Sequence, residues 1–295
     1  MGFSRAIKYG SLLRMAIAGP AGSGKTMTAL ILATALADGG EVAVIDTEHR
    51  SASKYADLFS FDTQELTNFN PSNYIAAIKE AEQAGYAVLI IDSLSHAWTG
   101  TGGLMEQKDM IAQTKYKGNT FQAWNDASKI QNMLINTILG SKMHIIATVR
   151  SKMEYVVEMV NGKQTPRKVG LAPVQRDDLP YEFDIFTTMD TDNTMIVDKS
   201  RCPELSGAVI AKPDAQVADI LKRWLAGEPA PERPLTVKDA YEHLLALGLV
   251  KGRPDFYQRA SEVLGVPVTA ENVMALEQDK IKVLVTTAST TQKAS

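Results

Sequence analysis

Gly19-Pro20-Ala21-Gly22-Ser23-Gly24-Lys25-Thr26 decides how this chain is read. It fits G-x-x-x-x-G-K-[ST], follows the apolar run Met15 to Ala18 and precedes helix-forming residues. That strand–loop–helix context is what a phosphate-binding loop needs. The glycines let successive backbone N–H groups turn inward around an anion, and the helix adds the positive end of its dipole. Lys25 brings a mobile cation to the β- and γ-phosphates, and the Thr26 hydroxyl is the expected Mg²⁺ contact. Gly19 through Met27 are therefore the expected ATP-binding residues. A glycine-rich turn that binds nothing does not call for Gly, Lys and Thr together at this spacing.

Working outward, the elements alternate. A helix is expected from Lys25 to about Ala37, closed by Asp38-Gly39-Gly40. Strands follow at Glu41 to Asp46 and Ala87 to Ile91, with a helix from Pro71 to Ala84 between them. A Gly-rich passage and a polar stretch lead to a helix over Phe121 to Leu139 and a fourth strand at Met143 to Val149. The strands are continuously apolar rather than alternating, which suits a sheet covered on both faces. The alternation predicts an α/β fold with a mainly parallel sheet flanked by helices, and ligands at the carboxyl ends of the strands. Beyond it, Tyr155 to Val160 and Lys163 to Val169 read as a β-hairpin around Asn161-Gly162. Strands at Glu182 to Asp190 and Thr194 to Asp198, then a helix from Asp214 to Leu225, complete a core spanning 1–225. A Pro-rich linker (226–234), a small C-terminal helical domain (235–285) and a polar tail expected to be disordered (286–295) end the chain.

Composition narrows the function. The 295 residues carry a net charge of -3, which argues against a generally basic nucleic-acid coat but not a local patch. One cysteine, Cys202, excludes an internal disulfide, and the four histidines lack metal-ligand spacing. Met1 to Arg14 lacks a signal-peptide core and no apolar run approaches membrane-spanning length, so a cytoplasmic protein without membrane partners is expected. Asp92 ends the third strand, where a carboxylate can orient a Mg²⁺ water. In many AAA+ machines a glutamate follows this Asp, but Ser93 stands here. The alternative water-orienting base is Glu48, just past the second strand; the plainer reading makes Asp46 and Glu48 solvated loop carboxylates.

Ile45-Asp46-Thr47-Glu48-His49, then Tyr55, together with the phosphate loop and Leu89-Ile90-Ile91-Asp92-Ser93, resembles the ATPase core of RecA-type recombinases. Val169-Gly170-Leu171-Ala172-Pro173-Val174-Gln175-Arg176 and Tyr181-Glu182-Phe183-Asp184 are similar to phage-encoded RecA-like nucleotide-binding proteins, some of which act in single-strand annealing. The resemblance covers about Met15 to Leu225. It implies that Glu48 is the catalytic glutamate and that Tyr55 stacks on adenine, although a packing role on a short helix is the other reading of Tyr55. It implies that Thr148 is a polar γ-phosphate sensor, where bacterial RecA carries glutamine. Lys199 and Arg201 fall where recombinases place basic fingers that reach a neighbouring subunit's γ-phosphate, against the plainer reading of an exposed basic turn. The resemblance further implies self-association into a filament or ring, and host cytoplasm if the protein is phage-encoded.

RecA-like proteins bind DNA through loops after the third and fourth strands. Between positions 142 and 176 seven basic residues, including Arg150, Lys152, Lys163, Arg167 and Lys168, face only Glu154 and Glu158. This is an electrostatic footprint suited to a phosphate backbone, and the resemblance implies that the partner is single-stranded DNA. The earlier loop interleaves Lys115 and Lys117 with Trp98, Tyr116, Phe121 and Trp124, which either stack on bases or begin a buried helix. A single-strand binding protein is a further expected partner. The competing reading is a nucleotide-regulated scaffold or loader that does not touch DNA. A small-molecule kinase ranks below both, because no Arg-rich lid is recognisable.

Overall fold

The computed structural model describes residues 11–160, 163–227 and 235–293, with the backbone alone described at 153–160, 163–169, 278 and 288–293. The first half runs β1 (Arg14–Gly19), α1 (Lys25–Ala37), β2 (Val42–Asp46), β3 (Asp62–Glu65), α2 (Pro71–Ala84), β4 (Val88–Asp92), α3 (Ser95–Thr99), α4 (Leu104–Lys115) and α5 (Thr120–Gly140). Then follow β5 (His144–Val160), β6 (Lys163–Pro173), α6 (Leu179–Glu182), β7 (Ile185–Met189), β8 (Thr194–Ser200), β9 (Val209–Ala211) and α7 (Ala215–Ala226). The chain divides into two compact units, Met1–Ala230 and Pro231–Ser295.

In the first unit the strands are apolar on both faces because each face meets a different core. Met15 and Ile17 of β1, Val44 of β2 and Ile90 of β4 pack with Leu30 and Ala33 of α1 and Leu221 of α7. Their neighbours Ala16, Ile45 and Ile91 point the other way, onto Tyr74 and Ile78 of α2 and Leu134 and Ile138 of α5. The nine-stranded sheet has the order β3-β2-β4-β5-β1-β7-β8-β9, with β6 pairing β5 outside that path. β3, β2, β4, β5, β1 and β7 are parallel, whereas β8 and β9 run antiparallel. The parallel α/β reading therefore holds. One consequence positions the site: Gly19, Asp46, Asp92 and Thr148 all lie at the same, carboxyl, edge of the sheet.

Several elements differ from expectation for identifiable reasons. β3 lies between the expected strand at Glu41 to Asp46 and the helix at Pro71, where Asp-Thr-Gln-Glu is polar throughout and gives no strand pattern, and its four exposed residues form the sheet's edge. α3 and α4 occupy the Gly-rich and polar stretch; α4 buries only Leu104, Lys108 and Ala112, a stripe too thin to stand out. The start of the expected strand at Glu182 is instead the helical turn α6. β5 does not stop at Val149 but continues into the hairpin, and β5 and β6 pair antiparallel from Ser151↔Pro173 to Val160↔Lys163. Asn161-Gly162 lies outside the described residues.

The second unit contains α8 (Val237–Ala246), α9 (Arg253–Leu264) and α10 (Gln278–Lys293) around Leu244, Phe256, Ala260, Ile281 and Leu284. Thr236 caps α8 in a reciprocal box with Asp239. The expected disordered tail is corrected in part: α10 runs through Lys293, extending the helix anchored by Ile281 and Leu284. Residues 228–234 of the expected linker lie outside the described residues.

Candidate functional site

The phosphate loop is shaped by two glycines with left-handed backbones, Gly22 (φ 80) and Gly24 (φ 82), the second capping α1. Ser23 Oγ donates to the Pro20 carbonyl at 2.9 Å, and Lys25 Nζ donates to the same carbonyl at 2.7 Å. Gly24→Ala combines a positive φ, costing about 1–2 kcal/mol for an L side chain, with a Cβ placed 2.9 Å from Asn193 Nδ2. The expected result is a lower urea midpoint together with weaker nucleotide binding, read by denaturation and by titration of a fluorescent nucleotide.

Behind the loop, Asp92 is buried and takes two hydroxyl donors: Thr26 Oγ1 at 2.7 Å and Thr148 Oγ1 at 2.5 Å. Burial pushes its carboxyl up from the usual range, against those two hydrogen bonds. A hard cation at this carboxylate would relieve the cost of its buried charge, and hydroxyl and carboxylate oxygens are the donors Mg²⁺ prefers. Thr26 and Asp92 therefore fit such an ion. Partial burial also holds the Lys25 ammonium below the usual lysine range, against the pull of Asp92 and Glu48.

Asp46 builds the next wall. Its carboxylate accepts the backbone N–H groups of Glu48 at 2.7 Å and Ala52 at 3.1 Å, folding the segment after β2 back on itself. His49 and Arg50 adopt left-handed backbones within that fold. Thr47 Oγ1 accepts the Ser93 N–H at 2.8 Å and lies 2.7 Å from His96 Nδ1, tying this loop to the end of β4. Glu48 thereby reaches the phosphate crevice, where Ser93 Oγ donates to its Oε1 at 3.0 Å. Burial alone would raise the Glu48 carboxyl, but hydrogen bonds and charge from Arg150, with the Ser93 hydroxyl, outweigh it and hold it below the usual glutamate range.

The model of one protein family, described as an AAA domain, matches residues 11–216, which takes in this whole crevice. The chain belongs to the AAA domain family. No curated protein matches it. Among solved structures, a crystal structure of the RadB recombinase is similar at 16% identity and a TM-score of 0.40, over 68% of this chain and 86% of that one.

The remaining expected residues of this AAA domain fall into three groups. Tyr55 ends a 3₁₀ turn (Ala52–Tyr55) and lines a cleft of about 680 Å³ with Gly22, Gly24, Lys25, Thr26 and Met27, while also packing against the core. Both readings of Tyr55 thus have a geometric basis. Lys199 and Arg201 lie elsewhere. β8 runs antiparallel to β7, so Ser200 pairs with Ile185 at the sheet's opposite edge from Gly19. There Lys199 Nζ donates to the carbonyls of Tyr181 (2.9 Å) and Phe183, and Arg201 pairs with Asp184 at 3.3 Å. Burial leaves the Lys199 ammonium below its usual range.

The third group was expected on DNA. The Arg150 guanidinium grips the Glu48 carboxylate, Nε to Oε1 at 2.7 Å and Nη2 to Oε2. Its position opposite Gly19 places it at the crevice rather than out on the hairpin. Lys152 is exposed. The side chains of Lys163, Arg167 and Lys168 lie outside the described residues. In the earlier loop, Trp98 and Trp124 stack on each other at 5.9 Å with Lys108 over the Trp124 ring, so the packing reading applies to these two, whereas Phe121 is exposed.

Two residues of the cleft carried no sequence signal. Asn193 and Lys212, both with left-handed backbones, form its far side, joined by the Lys212 N–H donating to the Asn193 carbonyl at 3.0 Å. Thr191-Asp192-Asn193 is legible as a turn, but only the β7–β8 pairing brings that turn against Gly24. Among the described residues no helix is long and apolar enough to cross a membrane.

Proposed function

We propose that this AAA domain is a RecA-like ATPase that binds single-stranded DNA in recombination or replication, in a phage setting, with ATP hydrolysed between copies of the chain. The observation that carries the reading is the convergence of Lys25, the Thr26–Asp92–Thr148 group and Glu48 at one sheet edge, with Thr148 on the strand that continues into the hairpin. Loop N–H groups and Lys25 hold the phosphates, Thr148 stands beside Asp92 as the γ-phosphate sensor, and Glu48 orients the attacking water. Thr26 and Asp92 would hold Mg²⁺, which would supply charge neutralisation at the phosphates. Tyr55 packs on the base.

Lys199 and Arg201 cannot serve the phosphates bound by their own chain, because the length of the sheet separates them from Lys25. They fit a role supplied in trans, for which Arg201, 61% exposed in its side chain, is the freer of the two. Steady-state ATP turnover with and without single-stranded DNA tests the reading. DNA raises the rate if it is correct. Mixing Lys25→Ala with Arg201→Ala protein then restores turnover that neither variant has alone. Turnover and assembly indifferent to DNA would make the chain a nucleotide-regulated scaffold or loader instead.

A further inference from the structure

Away from the phosphate crevice, α5 and the segment leading from β6 into α6 enclose a cavity of about 340 Å³. Its inner wall ends a chain of buried amides whose orientation is fixed from the far end. Gln175 donates from Nε2 to the Leu94 carbonyl at 3.3 Å, and its Oε1 accepts the Arg176 N–H at 2.9 Å. The same oxygen accepts Gln131 Nε2 at 3.1 Å. The Gln131 amide cannot be turned over, because its oxygen would then face the oxygen of Gln175. Gln131 lines the cavity and is 2% exposed, and its Oε1 is left a buried acceptor with no donor among the described residues.

An acceptor shut away from water calls for a donor, and the neighbouring charges say which kind. Arg176 is already committed, Nε to Asp178 Oδ1 at 2.9 Å and Nη1 to Asn132 Oδ1 at 3.3 Å. Glu182 on the α6 bank is exposed and has no ion-pair partner among the described residues, so its charge at the cavity is unbalanced. Ile135 and Leu179, both buried, supply an apolar part of the wall. The matching group is cationic, offers several N–H donors in different directions, and follows an apolar stem. A guanidinium on an alkyl chain meets all three demands: its planar fork can reach an amide oxygen on one bank and a carboxylate on the other. An ammonium is a compact, strongly hydrated point charge and suits them less well.

We propose that the cavity between α5 and α6 is a docking site for an arginine side chain presented by a protein partner, its guanidinium bridging Gln131 Oε1 and the Glu182 carboxylate. The mouth favours a chain segment over a small free molecule. Asn132 and Asn136 are exposed there one helical turn apart, about 6 Å along the axis, close to the roughly 6.6–6.8 Å that two residues of an extended chain span. Backbone on either side of the arginine can therefore pair with these amides. The site shares no residue with the phosphate crevice, and the proposal stands without the ATPase and DNA readings.

The probe is the blocked tripeptide acetyl-Gly-Arg-Gly-amide, titrated into the full ¹⁵N-labelled chain while side-chain amide signals are followed by NMR. The Gln131 signal, identified by its loss in Gln131→Met, is expected to move and saturate. Gln131→Met keeps the length and removes the acceptor, weakening binding about tenfold, as for a hydrogen bond to a charged group. Glu182→Gln, on an exposed residue whose change leaves the fold intact, weakens it about threefold. The corresponding lysine and citrulline tripeptides, one without the fork and the other without the charge, bind more weakly than the arginine one. A Gln131 signal indifferent to the arginine tripeptide overturns the proposal and leaves a cavity that holds water only. Unchanged affinity in Glu182→Gln overturns the bridge, and a lysine tripeptide that binds as tightly overturns the preference for a guanidinium. Agmatine binding as tightly as the tripeptide overturns the protein partner in favour of a free guanidinium compound.

Discussion

Lys25→Ala lowers ATP turnover by about 10²–10³-fold, the cost of removing one preorganised group that stabilises developing charge. Lys25 is the cation at the mouth of the loop; burial already disfavours its charge, while Asp92 and Glu48 favour it. A triphosphate adds more negative charge to that surrounding, so the ammonium's contribution grows when substrate arrives and grows again as the γ-phosphoryl group departs. Because part of this interaction exists before the chemical step, nucleotide affinity falls along with kcat. Titration with a fluorescent nucleotide beside steady-state kinetics separates the two losses. The fold survives the change, since Lys25 makes its one local hydrogen bond to Pro20 at the loop surface.

Glu48→Gln has the opposite signature. Its amide is nearly isosteric and keeps an acceptor for Arg150 and Ser93, but it cannot draw a proton from water. The expected loss is about 10²–10⁴-fold in kcat with KM for ATP unchanged, because Glu48 lies past β2 and not in the loop that holds the phosphates. Turnover close to wild type would remove Glu48 from the chemistry and leave it as a carboxylate that only orders Arg150. Native-like melting of both variants shows that the losses are chemical.

Much of the frame was legible because its boundaries are written in local chemistry. α2 begins where Asn70 caps Pro71 and stops at Gly85, whose left-handed backbone accepts what few other residues tolerate. α1 ends likewise at Asp38. The core strands were readable because a sheet covered on both faces requires unbroken apolar runs. β3 was not, since an exposed edge strand has no apolar pattern to display. The site divides along the same line. Lys25, Thr26 and Asp92 belong to short motifs whose spacing reflects one geometric demand. The Arg150–Glu48 pair joins residues 102 positions apart, and only the strand order β2-β4-β5 brings them into reach. Charge counting assigned Arg150 to the hairpin because it stands beside the hairpin in sequence, one residue before the β6 ladder begins.

The change of partners along β5 has an evolutionary corollary. Its ladder with β1 closes at Arg150 opposite Gly19, and the ladder with β6 opens at Ser151. Residues inserted, deleted or exchanged beyond that point alter the length and charge of the hairpin without shifting the register of Thr148 against Ile17. Descendants of such a chain can diversify the surface they present while inheriting an unaltered hydrolytic centre, so lineages should differ most in the hairpin and least in the four strand ends that surround Lys25.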